Sequence, residues 1–121
     1  MSPLTLKGGG LVSLSGDSHN LISAVGGNAV LTNVDNQIAG AGAIQVPLIN
    51  QSGGIINANV ASVPLAIEVV INGGVLEASN GAELLVASPL RGSGGVIKAL
   101  SGSKVVLLDA VAGPWSLQAP A

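Results

Sequence analysis

Short aliphatic runs alternate with polar turns along the whole chain, and three of the runs are near copies. They are Ser52-Gly53-Gly54-Ile55-Ile56-Asn57-Ala58, Asn72-Gly73-Gly74-Val75-Leu76-Glu77-Ala78 and Ser93-Gly94-Gly95-Val96-Ile97-Lys98-Ala99. Aliphatic runs bounded by Gly, Asn, Ser and Pro read as strands and turns. A helical reading does poorly, because Gly and β-branched residues both disfavour helix. A unit that returns about every 20 residues predicts a solenoid, each coil stacking on the last. An antiparallel sandwich of short strands does not explain why one motif recurs in register. Stacked parallel coils do, since like positions then meet about 4.8 Å apart.

Overlaying the copies gives a register. Ile55, Val75 and Val96 align, as do Ile56, Leu76 and Ile97, and these six are expected to form stacked aliphatic core ladders. Asn57, Glu77 and Lys98 share a variable polar position, followed by Ala58, Ala78 and Ala99. Further along, Leu65, Leu85 and Val106 fall together, and so do Ile67, Ala87 and Leu108. Each coil then reads as a strand, a polar turn, a second strand and a loop into the next Gly-Gly. Gly53, Gly54, Gly73, Gly74, Gly94 and Gly95 are expected at the corners, where glycine tolerates positive φ. Extending backward, Val46-Pro47-Leu48 matches Val63-Pro64-Leu65, which places Ile38 over Ile55. Gly9-Gly10-Leu11-Val12-Ser13-Leu14 opens an earlier coil, and Gly16 to Gly27 is irregular enough to hold a loop.

The expected fold is therefore all-β: a single-stranded parallel β-helix, or β-solenoid, of about five coils of roughly 17–21 residues. It runs over residues 1–112. Residues 113–121, with two prolines and Trp115, read as a C-terminal cap or tail over the open end. The register also sets Glu77 beside Lys98 and Glu83 beside Lys104. Opposite charges directly across two strands are favourable. Exposed pairs of this kind contribute under about 1 kcal/mol each, so they fix register more than stability.

Composition narrows the core. The 121 residues suit one domain. Hydrophobic residues make up 48%, yet the chain has one Trp and no Phe or Tyr, so the interior must be built from Val, Leu, Ile and Ala. Charged residues make up only 8%, and outward positions hold Ala, Ser, Asn and Val more often than Lys or Glu. Such a surface tends to pack against something, and open coil ends are edges that pair with other strands. Self-association, end to end or side by side, or continuation into further coils of a longer parent, is the expected partnership.

Several functions are argued against. The net charge is −2, and the cations Lys7, Arg91, Lys98 and Lys104 form no run beside an aromatic platform, which speaks against nucleic acid. With no Cys there are no disulfides, thiolates or Cys-based metal sites. The longest apolar stretch, Val60 to Ile71, is broken by Ser62, Pro64 and Glu68 and falls short of the about 20 residues that span a bilayer. The opening Met1-Ser2-Pro3-Leu4-Thr5-Leu6-Lys7 lacks the charged start and apolar stretch of a signal peptide. The expectation is an excised or engineered segment given a new Met.

Candidate chemistry is sparse. His19 stands in the polar turn Gly16-Asp17-Ser18-His19-Asn20 without partners at metal-ligand or catalytic spacing. Glu68 and Asp109 share a coil position two coils apart, with Ser88 between them. Two coils span about 9.6 Å, near the upper limit for an inverting glycosidase pair. No aromatic accompanies them to stack a sugar ring, so a solvated ladder is expected, with a carbohydrate-active enzyme the weakest alternative. The Gly-Gly pairs precede aliphatics rather than the Asp of a calcium-binding β-roll, and no phosphate-loop motif is present. Asn50-Gln51-Ser52 fits the N-glycosylation pattern. No catalytic, cofactor or metal site is expected.

Taken together, Leu11-Val12-Ser13-Leu14-Ser15-Gly16, the run Leu31 to Ile44, Leu48 to Asn59 and Leu76 to Val86 resemble repeats of large bacterial surface exoproteins. These are the filamentous-haemagglutinin-like and autotransporter passenger adhesins. The resemblance covers roughly residues 4 to 112. It implies a right-handed parallel β-helix, secreted and displayed at the cell surface, serving as a stalk or adhesive shaft that meets a host surface or glycan. The chain departs from the pattern in Val69-Val70-Ile71 and Val105-Val106-Leu107-Leu108, where such repeats often carry Thr. The expected function is structural or adhesive and non-enzymatic, with an Asn/Ser/Gly turn ladder as a contact surface. The alternative is a self-assembling fibre module.

Overall fold

The structure, a computed structural model, describes residues 3–17, 19–23, 30–67, 70–87, 90–91, 95–100, 102–107 and 116–118. Its strands come in threes. At the N-terminal end are β1 (Pro3–Leu6), β2 (Leu11–Ser13) and β3 (Leu21–Ile22). Three inner turns follow: β4 (Val30–Asn33), β5 (Gln37–Gly40) and β6 (Gly42–Ile44); β7 (Leu48–Asn50), β8 (Ile55–Ala58) and β9 (Leu65–Ile67); β10 (Val70–Asn72), β11 (Val75–Ala78) and β12 (Glu83–Val86). The C-terminal end holds β13 (Leu90–Arg91), β14 (Val96–Ala99), β15 (Lys104–Leu107) and β16 (Ser116–Gln118).

From β1 to β12 each strand pairs in parallel with the strand three places on, and β14 pairs with β16. Three sheets result: β1-β4-β7-β10-β13, β2-β5-β8-β11-β14-β16 and β3-β6-β9-β12-β15. The chain is thus a β-solenoid with three faces, all-β and all-parallel among its described residues. A coil has three strands rather than the two expected, because a strand also forms on the segment read as the loop into the next Gly-Gly. The buried core spans Leu31 to Ile97 and is built almost wholly from the inner turns, which have a neighbour on either side. The closely packed stack comes to about three turns, fewer than the five expected, with the outer strands continuing its ladders.

Alternation selects which aliphatics reach the interior. Successive side chains of a strand point to opposite faces, so two adjacent aliphatics cannot both point inward. Val12, Ile38, Ile56, Leu76 and Ile97 stack as the inward column of the second sheet. Ile38, Ile56, Leu76 and Ile97 are at most 1% exposed. Ile55, Val75 and Val96, also expected in the core, are half-buried and alternate with these. They form an outward column running from exposed Leu11 past Gln37. In the third sheet Ile22, Ile44, Ile67, Val86 and Leu107 stack inward. Fully burying one such Leu or Ile contributes about 1.5–3 kcal/mol, so the inward columns dominate stability.

Two offsets read from the sequence are corrected by this packing. Leu84, not Leu85, lies over Leu65, and Val86, not Ala87, lies over Ile67. The turn from Ala58 to Leu65 is one residue longer than that from Ala78 to Leu84, and a slip of one residue would place a buried Leu over an outward one. Likewise Ile38 pairs with Ile56 rather than Ile55. The two Val-Pro-Leu segments that suggested otherwise lie at different corners: Leu48 starts β7 in the first sheet and Leu65 starts β9 in the third. Between Leu85 and Val106 the expected pairing is present; Leu108 lies outside the described residues.

The end of the chain adds a rung. β16 pairs in parallel with β14. Residues 113–115 and 119–121 of the expected cap, Trp115 included, lie outside the described residues.

Candidate functional site: two corners and three faces

The corner between the first and second sheets is built on asparagine. Asn33, Asn50 and Asn72 end β4, β7 and β10 and stack directly over one another. All three are 0% exposed. Asn33 Nδ2 donates to Asn50 Oδ1 at 3.0 Å and to the Asn36 carbonyl at 2.8 Å. Asn50 Nδ2 donates to Asn72 Oδ1 at 2.9 Å and to the Gly54 carbonyl at 3.1 Å. Asn72 Nδ2 donates to the Gly74 carbonyl at 3.2 Å, and its Oδ1 accepts from the Gly74 N–H at the same distance. Each amide thereby meets the backbone groups that the corner leaves without sheet partners, which is what burial of polar groups requires.

This ladder explains the second glycine of the pairs, Gly54 and Gly74, better than backbone freedom does. Gly53, Gly54 and Gly74 have no positive φ, so that part of the expectation is corrected. A Cβ at Gly54 would collide with Asn50 Oδ1 and Asn33 Nδ2, and one at Gly74 with the Gln51 and Gly54 carbonyls. Glycine is required because the ladder passes so close. The Gly73 N–H donates to the Asn50 carbonyl at 2.7 Å, and Gly95 is buried before β14. Gly94 lies outside the described residues. Positive φ is needed elsewhere, at Gly40 (130°) and Gly42 (116°), which turn the chain around buried Ala41 from β5 into β6.

Of the expected Asn/Ser/Gly contact surface, the asparagines of this corner point inward and are buried, while Gln51, Ser52 and Gly53 beside them are exposed. For the same reason Asn50-Gln51-Ser52 does not present its asparagine for glycosylation in the folded protein. The ladder was missed in the sequence although its signal is there. Leu31-Thr32-Asn33, Leu48-Ile49-Asn50 and Val70-Ile71-Asn72 each place Asn two residues after an aliphatic that begins or lies in a strand of the first sheet.

The corner between the second and third sheets is different. Ser79-Asn80-Gly81-Ala82 forms a turn closed by the Ala82 N–H to the Ser79 carbonyl at 3.0 Å. Asn80 (φ 58°) and Gly81 (φ 75°) are both left-handed, as a type I′ turn demands and as Asn-Gly supplies. Both residues are exposed. Related turns close over Val60–Val63 and Leu100–Ser103.

Charged groups sit mostly on the faces. Lys98 Nζ lies 3.8 Å from Glu77 Oε1, and Lys104 Nζ 3.9 Å from Glu83 Oε1. The backbone register sets both pairs across adjacent strands. Asn57, aligned with Glu77 and Lys98, is buried; its Oδ1 accepts from the Ser79 hydroxyl at 2.9 Å. Asp35 Oδ1 accepts from the N–H groups of Gly8 (2.9 Å) and Gly9 (3.1 Å), tying the N-terminal strands to the next turn. His19 is exposed, its Nδ1 3.0 Å from Asp17 Oδ1. The His19 backbone N–H, and then its ring, hold the Asp17 carboxyl below its ordinary value.

Glu68, Ser88 and Asp109 lie outside the described residues, so the carboxylate spacing read from the sequence stays an expectation. Among the described residues no group of three His, Cys, Asp or Glu is placed to hold a metal ion, and no helix is long and apolar enough to cross a membrane. No family model, no curated protein and no solved structure matches the chain. The class is accordingly defined by its fold alone, a parallel β-solenoid.

Proposed function

We propose that the chain is a non-enzymatic structural segment of a secreted bacterial surface exoprotein, a stalk or adhesive shaft. One observation carries the reading. The inward column Val12, Ile38, Ile56, Leu76, Ile97 is aliphatic at every turn, whereas the column beside it reads Ser13, Ala39, Asn57, Glu77, Lys98, covered at Ala39 and Asn57 and open to solvent only at Ser13 and in part at Glu77 and Lys98. A repeated ligand site would hold its outward residue fixed; a shaft needs only its interior and register held. The buried asparagine corner serves register in the same way, because each amide bonds to the turn above or below it.

Each turn of a shaft is interchangeable with its neighbours. Duplicating Asn72–Arg91, whose ends meet in register because Ile71 lies beside Arg91, should give a folded protein. Its melting midpoint should be no lower, and the particle should be longer by about 4.8 Å. A duplicated chain that does not fold would overturn the interchangeability on which the reading rests.

A second reading, a self-assembling fibre module, draws on the N-terminal end. Leu4, Leu11 and Leu21 are 59%, 63% and 53% exposed, one on each of β1, β2 and β3. Leu4 belongs to the column of Leu31 and Leu48, both fully or nearly fully buried, and pairs on one side only among the described residues. Electron microscopy of the purified chain distinguishes the two: filaments favour assembly, short discrete rods an isolated shaft segment.

A further inference from the structure

The chain contains two Asn-Gly dipeptides, Asn72-Gly73 and Asn80-Gly81, and the fold treats them oppositely. We propose that Asn80 is a site of spontaneous deamidation in the folded protein and that Asn72, carrying the same dipeptide, is shielded from it. The reaction is intramolecular. The Gly81 backbone nitrogen attacks Asn80 Cγ, an N–Cγ bond forms, and the Cγ–Nδ2 bond breaks as ammonia leaves with the proton shed by Gly81. Water then opens the resulting succinimide at either carbonyl, giving aspartate or isoaspartate at position 80. Glycine makes the attack easy, since it offers no side chain to crowd the nitrogen.

What separates the two sites is packing. Asn80 and Gly81 are exposed in their turn. The Asn80 amide keeps a single long hydrogen bond, from Nδ2 to the Asn59 carbonyl at 3.4 Å. The leaving ammonia and the incoming water have free access. Asn72 is 0% exposed. Its Oδ1 accepts from both Asn50 Nδ2 and the Gly74 N–H, and its Nδ2 donates to the Gly74 carbonyl. The side chain cannot swing onto the Gly73 nitrogen without breaking the ladder, so this site reacts only through local opening.

The product alters the corner it forms on. Either acid adds a carboxylate three residues before Glu83 in the chain, taking the net charge from −2 to −3 (one more negative charge). Isoaspartate also inserts a methylene into the backbone. The Gly81 N–H, which donates to the Ser103 hydroxyl at 2.9 Å, is then displaced from the turn beside it.

The test is peptide mapping by mass spectrometry after timed incubation in mildly alkaline buffer, on the folded chain and on the chain in denaturant. In the folded chain Asn80 should convert roughly tenfold or more faster than Asn72, because Asn72 must wait for the ladder to open. In denaturant the two sites should convert at similar rates. Equal rates in the folded chain would overturn the proposal, as would an Asn80 that stays intact in the folded chain while converting in denaturant.

Discussion

The two asparagine-bearing corners use one residue type for opposite ends. At the first corner, Asn33, Asn50 and Asn72 are sealed from solvent and bonded to one another from turn to turn. At the second, Asn80 sits in solvent and serves its own turn through its left-handed backbone. The difference lies in what each corner leaves unpaired. The first brings the chain so close to its neighbours that Gly54 and Gly74 have no room for a Cβ. Buried backbone groups there need a partner, and an amide supplies both a donor and an acceptor. The second corner stands clear, and its turns close on their own hydrogen bonds. Burial, rather than residue identity, decides whether an asparagine holds the stack or only turns it.

The largest effect should come from the inward side of a strand adjoining both corners. Leu76→Asp would set an unpaired charge in a fully buried position and should remove more than about 4 kcal/mol, enough to unfold a domain of ordinary stability. Val75→Asp, one residue earlier on the outward face, should leave a cooperative melt. A melt lost in Val75→Asp and kept in Leu76→Asp would reverse the assignment of faces. Next in size is the ladder itself. Asn50→Ala removes the acceptor of Asn33 and the donor to Asn72 and should lower stability by about 2–4 kcal/mol in denaturant titration. Asn80→Ala should lower it by about 1 kcal/mol, the strain of a left-handed alanine. Comparable losses at the two positions would erase the distinction between the corners.

Smaller effects belong to the faces. Lys98→Gln should change stability by less than about 1 kcal/mol, since the Glu77 pair is partly solvated. The same measurement reporting several kcal/mol would make the pair a structural element rather than a register mark. Smallest is the Asp17 turn. Its carboxyl lies below its ordinary value, so its hydrogen bonds are present above that value and are lost as pH falls through the lowered one. The His19 amide resonance should therefore inflect below the ordinary aspartate pKa of about 3.9. An inflection above it would contradict the turn geometry.

Much of this architecture was legible in the pattern of residues. The overlay of the Gly-Gly units reads the backbone register of β8, β11 and β14, because the spacing there is nearly constant. Legibility failed where the spacing changes. The turn before Leu65 carries one residue more than the turn before Leu84, and the repeat of Val-Pro-Leu hides that two different corners are being compared. The third strand of each coil is not legible in the sequence because β7 and β10 are three residues long and lie in segments that read as connecting loops. The inward and outward members of Val75-Leu76 were not separable by hydrophobicity, since both are aliphatic; the pleat separates them. The asparagine ladder was visible as aliphatic-x-Asn in three strands. Asparagine after an aliphatic run is also an ordinary turn signal, and only stacking shows that these three are inside.

The central claim is that one corner is locked by buried amides and the other is open. Side-chain amide hydrogen exchange, followed by NMR on the folded chain, measures this directly. The Nδ2 protons of Asn33, Asn50 and Asn72 should exchange slowly, as a group, while those of Asn80 exchange at the rate of a free amide. Exchange of the three ladder amides as fast as that of Asn80 would contradict the account.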